Sequence, residues 1–336
     1  MRLTSREKEI IEVLKKEPLI SQDALAGRFG ITRSSVAVHI SNLMKKGVIL
    51  GKGYVFNEQV SVVIFGESCM RIEVQGENEN TRINVELGGF ALESARALAK
   101  FGLNVKVITV IGNDEPGTSL ISRLQESDID TANVFRHPEK RTCRRVTANG
   151  TLLFEEGFTL ADYEKAIEMR EWVALNCQWL ITQPLYFQAV AKRISGKDED
   201  DLPCLSTYQY LADAERLPEF IHDYSLYAAG VGSARAIDDY LDQLAGLTRE
   251  SNLAVVITDG NSRAVSVKGG AINEFQFLPN QRFSIQERLP NLTAGLVYGL
   301  ASGYPLRQAV RIGIGSASGG DAGWENETTE EPWDWK

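Results

Sequence analysis

Along the first 58 residues, apolar positions recur at helical spacing in three short bursts. Ile10, Ile11, Val13 and Leu14 form the first, Ala24, Leu25 and Phe29 the second, and Val36, Ile40 and Leu43 the third. Each burst has its own punctuation. Thr4 with Glu7 three residues on reads as a capping box, and Pro18 stops the first helix. Ser21 caps the second and Gly30 closes it; the third starts after Ile31-Thr32 and ends in Lys45-Lys46-Gly47. Val48 to Phe56 then gives two β-prone runs around Gly51-Lys52-Gly53. Past residue 60 the rhythm changes. Ser61–Phe65 is an apolar strand entering a glycine turn at Gly66. Helix Ala91–Phe101, strand Val105–Ile111, helix Gly117–Gln125 and strand Val134–Phe135 follow. Ala254–Thr258 is a late buried strand and Leu292–Ser302 a small-residue helix. Such alternation predicts a mostly parallel sheet covered by helices on both faces.

Charge sharpens the division. The chain of 336 residues carries a net −9, which alone argues against nucleic acid. Residues 1–58, however, hold ten Lys/Arg against six Asp/Glu, and the remainder 26 against 39. A basic head on an acidic body is the asymmetry expected if only the head meets phosphates. No apolar run approaches the ~18 residues of a membrane span, and the polar start MRLTSREKEI is no secretory signal, so a cytoplasmic protein is expected. Cys69, Cys143, Cys177 and Cys204 are scattered with no CxxC pair, which predicts reduced, buried thiols and no metal site.

Two short helices and a tight turn before a third with a narrow apolar stripe make a helix-turn-helix layout. The third helix leaves Arg33, Ser34, Ser35, His39 and Asn42 to donate to phosphates or base edges, with Lys52 at the tip of a β wing. The stretch ISQDALAGRFGITRSSVAVHISNLMKKGVILGKGYVF resembles the winged helix-turn-helix modules of bacterial transcription regulators, which implies double-stranded DNA as a partner. A three-helix protein-interaction module is the blander reading of the same pattern.

The body carries a second resemblance. GGFALESARALAKFGLNVKVITVIGNDEPGTSLISRLQESDID looks like the N-terminal signature of the ribokinase-like (PfkB) sugar and nucleoside kinases; VVITDG at 255–260 and TAGLVYGLASG at 293–303 resemble later elements. It covers about residues 60–318. The expected organisation is thus α/β: a winged helix-turn-helix at 1–58, a ribokinase-like three-layer α/β/α domain with a small β lid at 60–318, and a tail at 319–336. The lid is expected from residues 67–87 and 140–157. The tail is acidic, with Trp324, Trp333 and Trp335, and reads equally as a solvated end or a docking segment. Gly-Gly-Asp-Ala-Gly at 319–323 falls after the final helix and reads as part of it.

The family's phosphotransfer residues do not carry over. Its G-A-G-D motif supplies an Asp base and an anion hole at a helix N-terminus. Counting back from Ala294-Gly295-Leu296, that motif falls on Glu287-Arg288-Leu289-Pro290, so Pro290 stands where the base belongs. Cys69 and Arg71 replace the sugar-binding Asn and Asp, and Glu93 an Asn after the double glycine Gly88-Gly89. The N-x-x-E element falls on Gly230 to Ser233, and Arg263 takes the second glycine of the T-x-G-x-x-G turn. Arg71, Gly88, Gly89 and Glu93 remain candidate ligand contacts. An arginine there favours an anionic ligand such as a phosphorylated sugar or nucleotide, while an Arg71–Glu93 ion pair is the simpler reading. The expectation is a homodimeric DNA-binding regulator with a pseudokinase domain, needing no cofactor and taking a small sugar, nucleoside or phosphorylated metabolite. The alternative is an active kinase using ATP and Mg2+ under a regulatory DNA-binding head, and a structural partner of a neighbouring kinase is a third reading.

Overall fold

The computed structural model describes residues 4–17, 20–45, 49–51, 55–56, 61–76, 81–198, 202–211 and 217–319. Pro18, Lys46, Gly47, Val48, Lys52 and the tail with Trp324, Trp333 and Trp335 lie outside them. Two compact units divide the chain, one ending at residue 59 and the other running from residue 60.

The first unit has helices α1 (Ser5–Lys16), α2 (Gln22–Phe29) and α3 (Arg33–Lys45), then strands β1 (Ile49–Gly51) and β2 (Val55–Phe56), paired antiparallel. The capping box at Thr4 forms both ways: Glu7 N donates to Thr4 Oγ1 at 3.2 Å and Thr4 N to Glu7 Oε2 at 2.6 Å. Ser21 Oγ accepts from Ala24 N, and Gly30, at φ 63°, takes the left-handed conformation that ends α2. Ile10, Leu14, Leu25, Ala26, Val36, Ile40, Leu43 and Ile49 are buried together; Ala26 and Ile49 join the positions marked by the helical periodicity, and Ala24, one of those positions, is exposed.

In the second unit, an eight-stranded sheet runs in the order β16-β15-β14-β13-β12-β11-β3-β6. Its members are β3 (Ser61–Phe65), β6 (Asn104–Ile108), β11 (Trp179–Thr182), β12 (Cys204–Leu211), β13 (Leu226–Val231), β14 (Ala254–Thr258), β15 (Arg263–Lys268) and β16 (Ala271–Gln276). The six strands from β14 to β6 are parallel, and β15 and β16 add an antiparallel edge. Alternate residues of one strand enter different cores. Val62 and Ile64 pack on one face with α4 (Phe90–Ala99), α5 (Glu115–Gln125), α10 (Ile285–Ala301) and α11 (Leu306–Ser318). Val63 and Phe65 pack on the other with α6 (Leu160–Met169), α7 (Glu171–Leu175), α8 (Phe187–Ile194) and α9 (Ala234–Arg249). Period-2 side chains buried on both faces explain the unbroken apolar runs.

A separate four-stranded sheet, β10-β9-β4-β5, is the lid: β4 (Cys69–Gln75), β5 (Arg82–Gly88), β9 (Cys143–Ala148) and β10 (Thr151–Glu156). It comes from the two segments the sequence marks. Two expected elements differ. The strand read as Val105–Ile111 breaks at buried Thr109, and β7 (Val110–Gly112) leaves the main sheet to pair with β8 (Phe135–His137). The helix expected from Leu292 begins at Ile285 and runs through Pro290. Leu289, Pro290 and Leu292 are all buried, and that burial offsets the helical hydrogen bond a proline forfeits. Among the described residues, no helix is long and apolar enough to cross a membrane.

Candidate functional site

The topology locates the cleft. From β3 the chain goes to β6 on one side of the sheet and later returns to β11 on the other, so β3 and β11 flank a switch point. Ligands of open parallel sheets bind beyond the carboxyl ends of strands at such a point. There Gln183 closes the floor: its N donates to Phe65 O at 2.9 Å and its Oε1 accepts from Glu67 N at 2.8 Å. The lid rises from this loop. Gly89, at φ 99°, lets the chain turn from β5 into α4; a Cβ there would meet Glu67 O at 2.8 Å.

The four candidate ligand residues come together. The Arg71 guanidinium hydrogen-bonds Glu93 and lies against Gly88, where a Cβ would fall 2.8 Å from Arg71 Cζ. Gly89 N donates to Glu93 Oε1 at 3.4 Å. Arg71 is 43% exposed and Glu93 32%, so the pair contributes about 0–1 kcal/mol and an anion could displace Glu93 cheaply. Arg145 was not singled out by sequence, yet it is the register partner of Arg71 across β4 and β9, which puts both side chains on one lid face. It hydrogen-bonds Glu155 and reaches Glu67 at 3.3 Å. Behind the floor, Phe65, Tyr163 and Tyr186 form an aromatic cluster, with Tyr163 and Tyr186 stacked at 3.9 Å.

Asp114, third residue of the G-x-D-x-x-G motif, fastens the lid. Its carboxylate caps α5 through Gly117 N at 3.2 Å and accepts from Thr142 N and Thr142 Oγ1, just before β9, and from Arg144 Nη2 on β9. Burial pushes its pKa up, but these donors outweigh burial and hold the carboxyl below its ordinary value.

At the Glu287-Arg288-Leu289-Pro290 segment the backbone is helical throughout. Arg288 N donates to Ser284 O at 2.9 Å and proline has no N–H, which leaves Glu287 N, in the first turn, as the segment's amide without an intrahelical acceptor. Upstream, Ile285 fills the space beside two strand ends: a Cβ on Gly230 would sit 2.6 Å from its Cγ1, and one on Gly260 3.2 Å from its Cβ. The neighbouring family positions have structural uses. Ser233 caps α9 through Ala236 N at 3.3 Å, and Arg263 ties α9 to β16 through Asp238 at 2.6 Å and Glu274 at 2.7 Å. These residues do not match the family's ATP and Mg2+ chemistry: Pro290, at the position of the base, carries no titratable group, and Glu287 in the first turn repels phosphate.

In the head, Arg33 and Ser34 are exposed at the start of α3, and Arg33 lies 3.7 Å from Asp23. Ser35 is half-buried and committed locally, its hydroxyl 2.9 Å from Thr32 Oγ1. His39 and Asn42 are half-buried, and Lys52 lies outside the described residues. The exposed stripe that continues from Ser34 is Ala37, Val38 and Ser41, with Val38 58% exposed. Val38 is not among the groove residues read from the sequence; on a groove-facing helix it suits a thymine methyl.

The chain joins a helix-turn-helix domain to a three-layer kinase-like domain, and the comparisons agree. Residues 3–49 match the winged helix-turn-helix DNA-binding family. Residues 59–228, half the chain, match the pfkB family carbohydrate kinases, and the chain belongs to that family. It is 29% identical over 229 residues to the "Uncharacterized sugar kinase YeiI" of Escherichia coli (strain K12), spanning 58% of this chain and 62% of that protein. A carbohydrate kinase from Agrobacterium tumefaciens has the same fold, with TM-score 0.60 and 17% identity over 77% of this chain and 90% of that one. Ribokinase from Thermotoga maritima aligns with TM-score 0.58 and 16% identity over 77% and 92%.

Proposed function

We propose that this protein is a cytoplasmic DNA-binding transcriptional regulator whose pfkB domain senses a small anionic metabolite and dimerises, without transferring phosphate. The observation that carries this reading is α10 running unbroken through the position of the family's base and anion hole. Arg71 and Arg145, neighbours on the lid, supply the cationic recognition expected for a phosphorylated sugar or nucleotide. The other lid face supports the dimer. Val85, Ile72, Val146 and Phe154 are successive register partners across all four strands, so they share a face, and Ile83 and Val74 extend it. Ile83, Val85 and Phe154 are more than half exposed. Contiguous apolar surface of this kind marks an interaction site, and a second copy of the chain would supply two recognition helices for a palindromic operator.

The direct test is ATP turnover by the intact protein with a panel of sugars and nucleosides. Wild type is expected to match a Pro290→Asp control at background; turnover above it would overturn the pseudokinase reading in favour of an active kinase. Thermal shifts with phosphorylated against neutral sugars test the ligand class. A larger shift with the phosphorylated forms, lost in Arg71→Ala, is the expected result.

A further inference from the structure

We propose that Glu67, Cys69 and Cys143 form a binding site for a thiophilic divalent cation, zinc by preference, at the base of the lid. The idea opposes the sequence expectation of no metal, because 74 positions separate the two cysteines. The parallel pairing of β4 and β9 removes that separation: Cys69 and Cys143 are register partners at the first position of each strand. The loop from β3 then brings Glu67 to the same spot. The two sulfurs and a carboxylate oxygen lie within 4.8 Å of one another.

Two buried thiols alone would pass as small core hydrophobes. The carboxylate changes this. Glu67 has a side chain only 13% exposed, and among the described residues its carboxylate holds one long contact, 3.3 Å to Arg145, a guanidinium already engaged by Glu155. A nearly buried carboxylate so weakly compensated, beside two thiols, is an incomplete arrangement that a cation completes. The donor set selects the ion. Two sulfurs exclude magnesium and calcium, which demand oxygen shells, and suit borderline-soft zinc with about 2.3 Å metal–sulfur bonds. Three protein ligands leave a fourth position for water. Tyr163 is buried against the same groups, its ring stacked on Tyr186 at 3.9 Å. Gly157 leaves room at the sulfur, since a Cβ there would come to 3.3 Å from Cys143 Sγ. Two thiolates and a carboxylate around Zn2+ carry one net negative charge. A bound ion would tie β4, β9 and the β3 loop together, fixing the lid on the body.

The intact, reduced protein, stripped with chelator and reconstituted with ZnCl2, is expected to retain one equivalent of zinc through desalting. A Cys69→Ser/Cys143→Ser double variant should retain none. Cobalt substitution should give a thiolate-to-metal charge-transfer band, absent from the double variant and weakened in Glu67→Gln. Failure of the wild type to retain zinc, or a cobalt spectrum without thiolate charge transfer, would overturn the proposal even if the double variant did not fold. Equal retention by a folded double variant would do the same, placing the ion elsewhere.

Discussion

Single side chains decide much of the chemistry. Arg33 stands at the first turn of α3, exposed and only loosely held by Asp23 at 3.7 Å. If it meets phosphate, Arg33→Ala with Lys52→Ala weakens operator binding and lowers the slope of log K against log salt by about 2. Titration in gel shifts at several salt concentrations measures this, and an unchanged slope would refute the assignment. Asp162 is a second residue with a definite signature. Burial raises its pKa, but hydrogen bonds from Lys140 and Thr159 and the Lys140 charge bring it down to about 2. Its folded pKa lies below the unfolded value of about 3.9, so it contributes stability above pH ~4 that is lost as pH falls toward 2. Melting curves should show Asp162→Asn less stable than wild type at neutral pH, with the difference shrinking between pH 4 and 2.

At the scale of elements, two contacts hold the body's shape. Asp114 joins the N-terminus of α5 to the lid by accepting from four donors on two elements. Asp114→Ala orphans those donors and should cost about 2 kcal/mol in denaturant unfolding. The α10–α11 pair packs backbone to backbone, and a Cβ on Gly295 would lie 2.7 Å from Gly313 Cα. Gly295→Val is therefore expected to destabilise by about 2 kcal/mol through overpacking, more than Gly315→Val, where nothing lies within reach of a Cβ. Elements were legible where pattern and punctuation agreed. Thr4, Ser21 and Gly30 set helix ends in the sequence and cap them in the structure. Legibility failed where tertiary burial overrode a local rule. The helix expected from Leu292 starts earlier, at Ile285, because the apolar neighbours Leu289 and Leu292 draw the turn around Pro290 into the core. The ligand residues Arg71, Gly88, Gly89 and Glu93 could be gathered through the family resemblance. Arg145 and the cysteine pair could not, because strand register has no trace in linear spacing.

For the whole molecule, the two lid faces imply a division of labour. One carries Arg71 and Arg145, the other Ile83, Val85 and Phe154. Val85→Glu puts a charge in the middle of the apolar face and should convert a dimer to a monomer in sedimentation velocity while leaving the melting temperature within a few degrees. Operator affinity should fall with it, because paired half-sites lose their second contact. A monomeric wild type would remove the lid from this role.

If, as proposed, the domain transfers no phosphate, the path of α10 has a consequence for any attempt to build phosphotransfer into it. An aspartate at 290 would be the sixth residue of a formed helix, not the first after a glycine turn. To bring residue 290 to a helix N-terminus, the turn from Ile285 to Leu289 would have to unwind, and Ile285 would have to leave the gap it fills beside Gly230 and Gly260. Each substitution toward the kinase pattern loses packing before it gains any chemistry. Single-step reversion therefore crosses a valley, and selection for phosphotransfer from a library should recover only variants changed at several of these positions together.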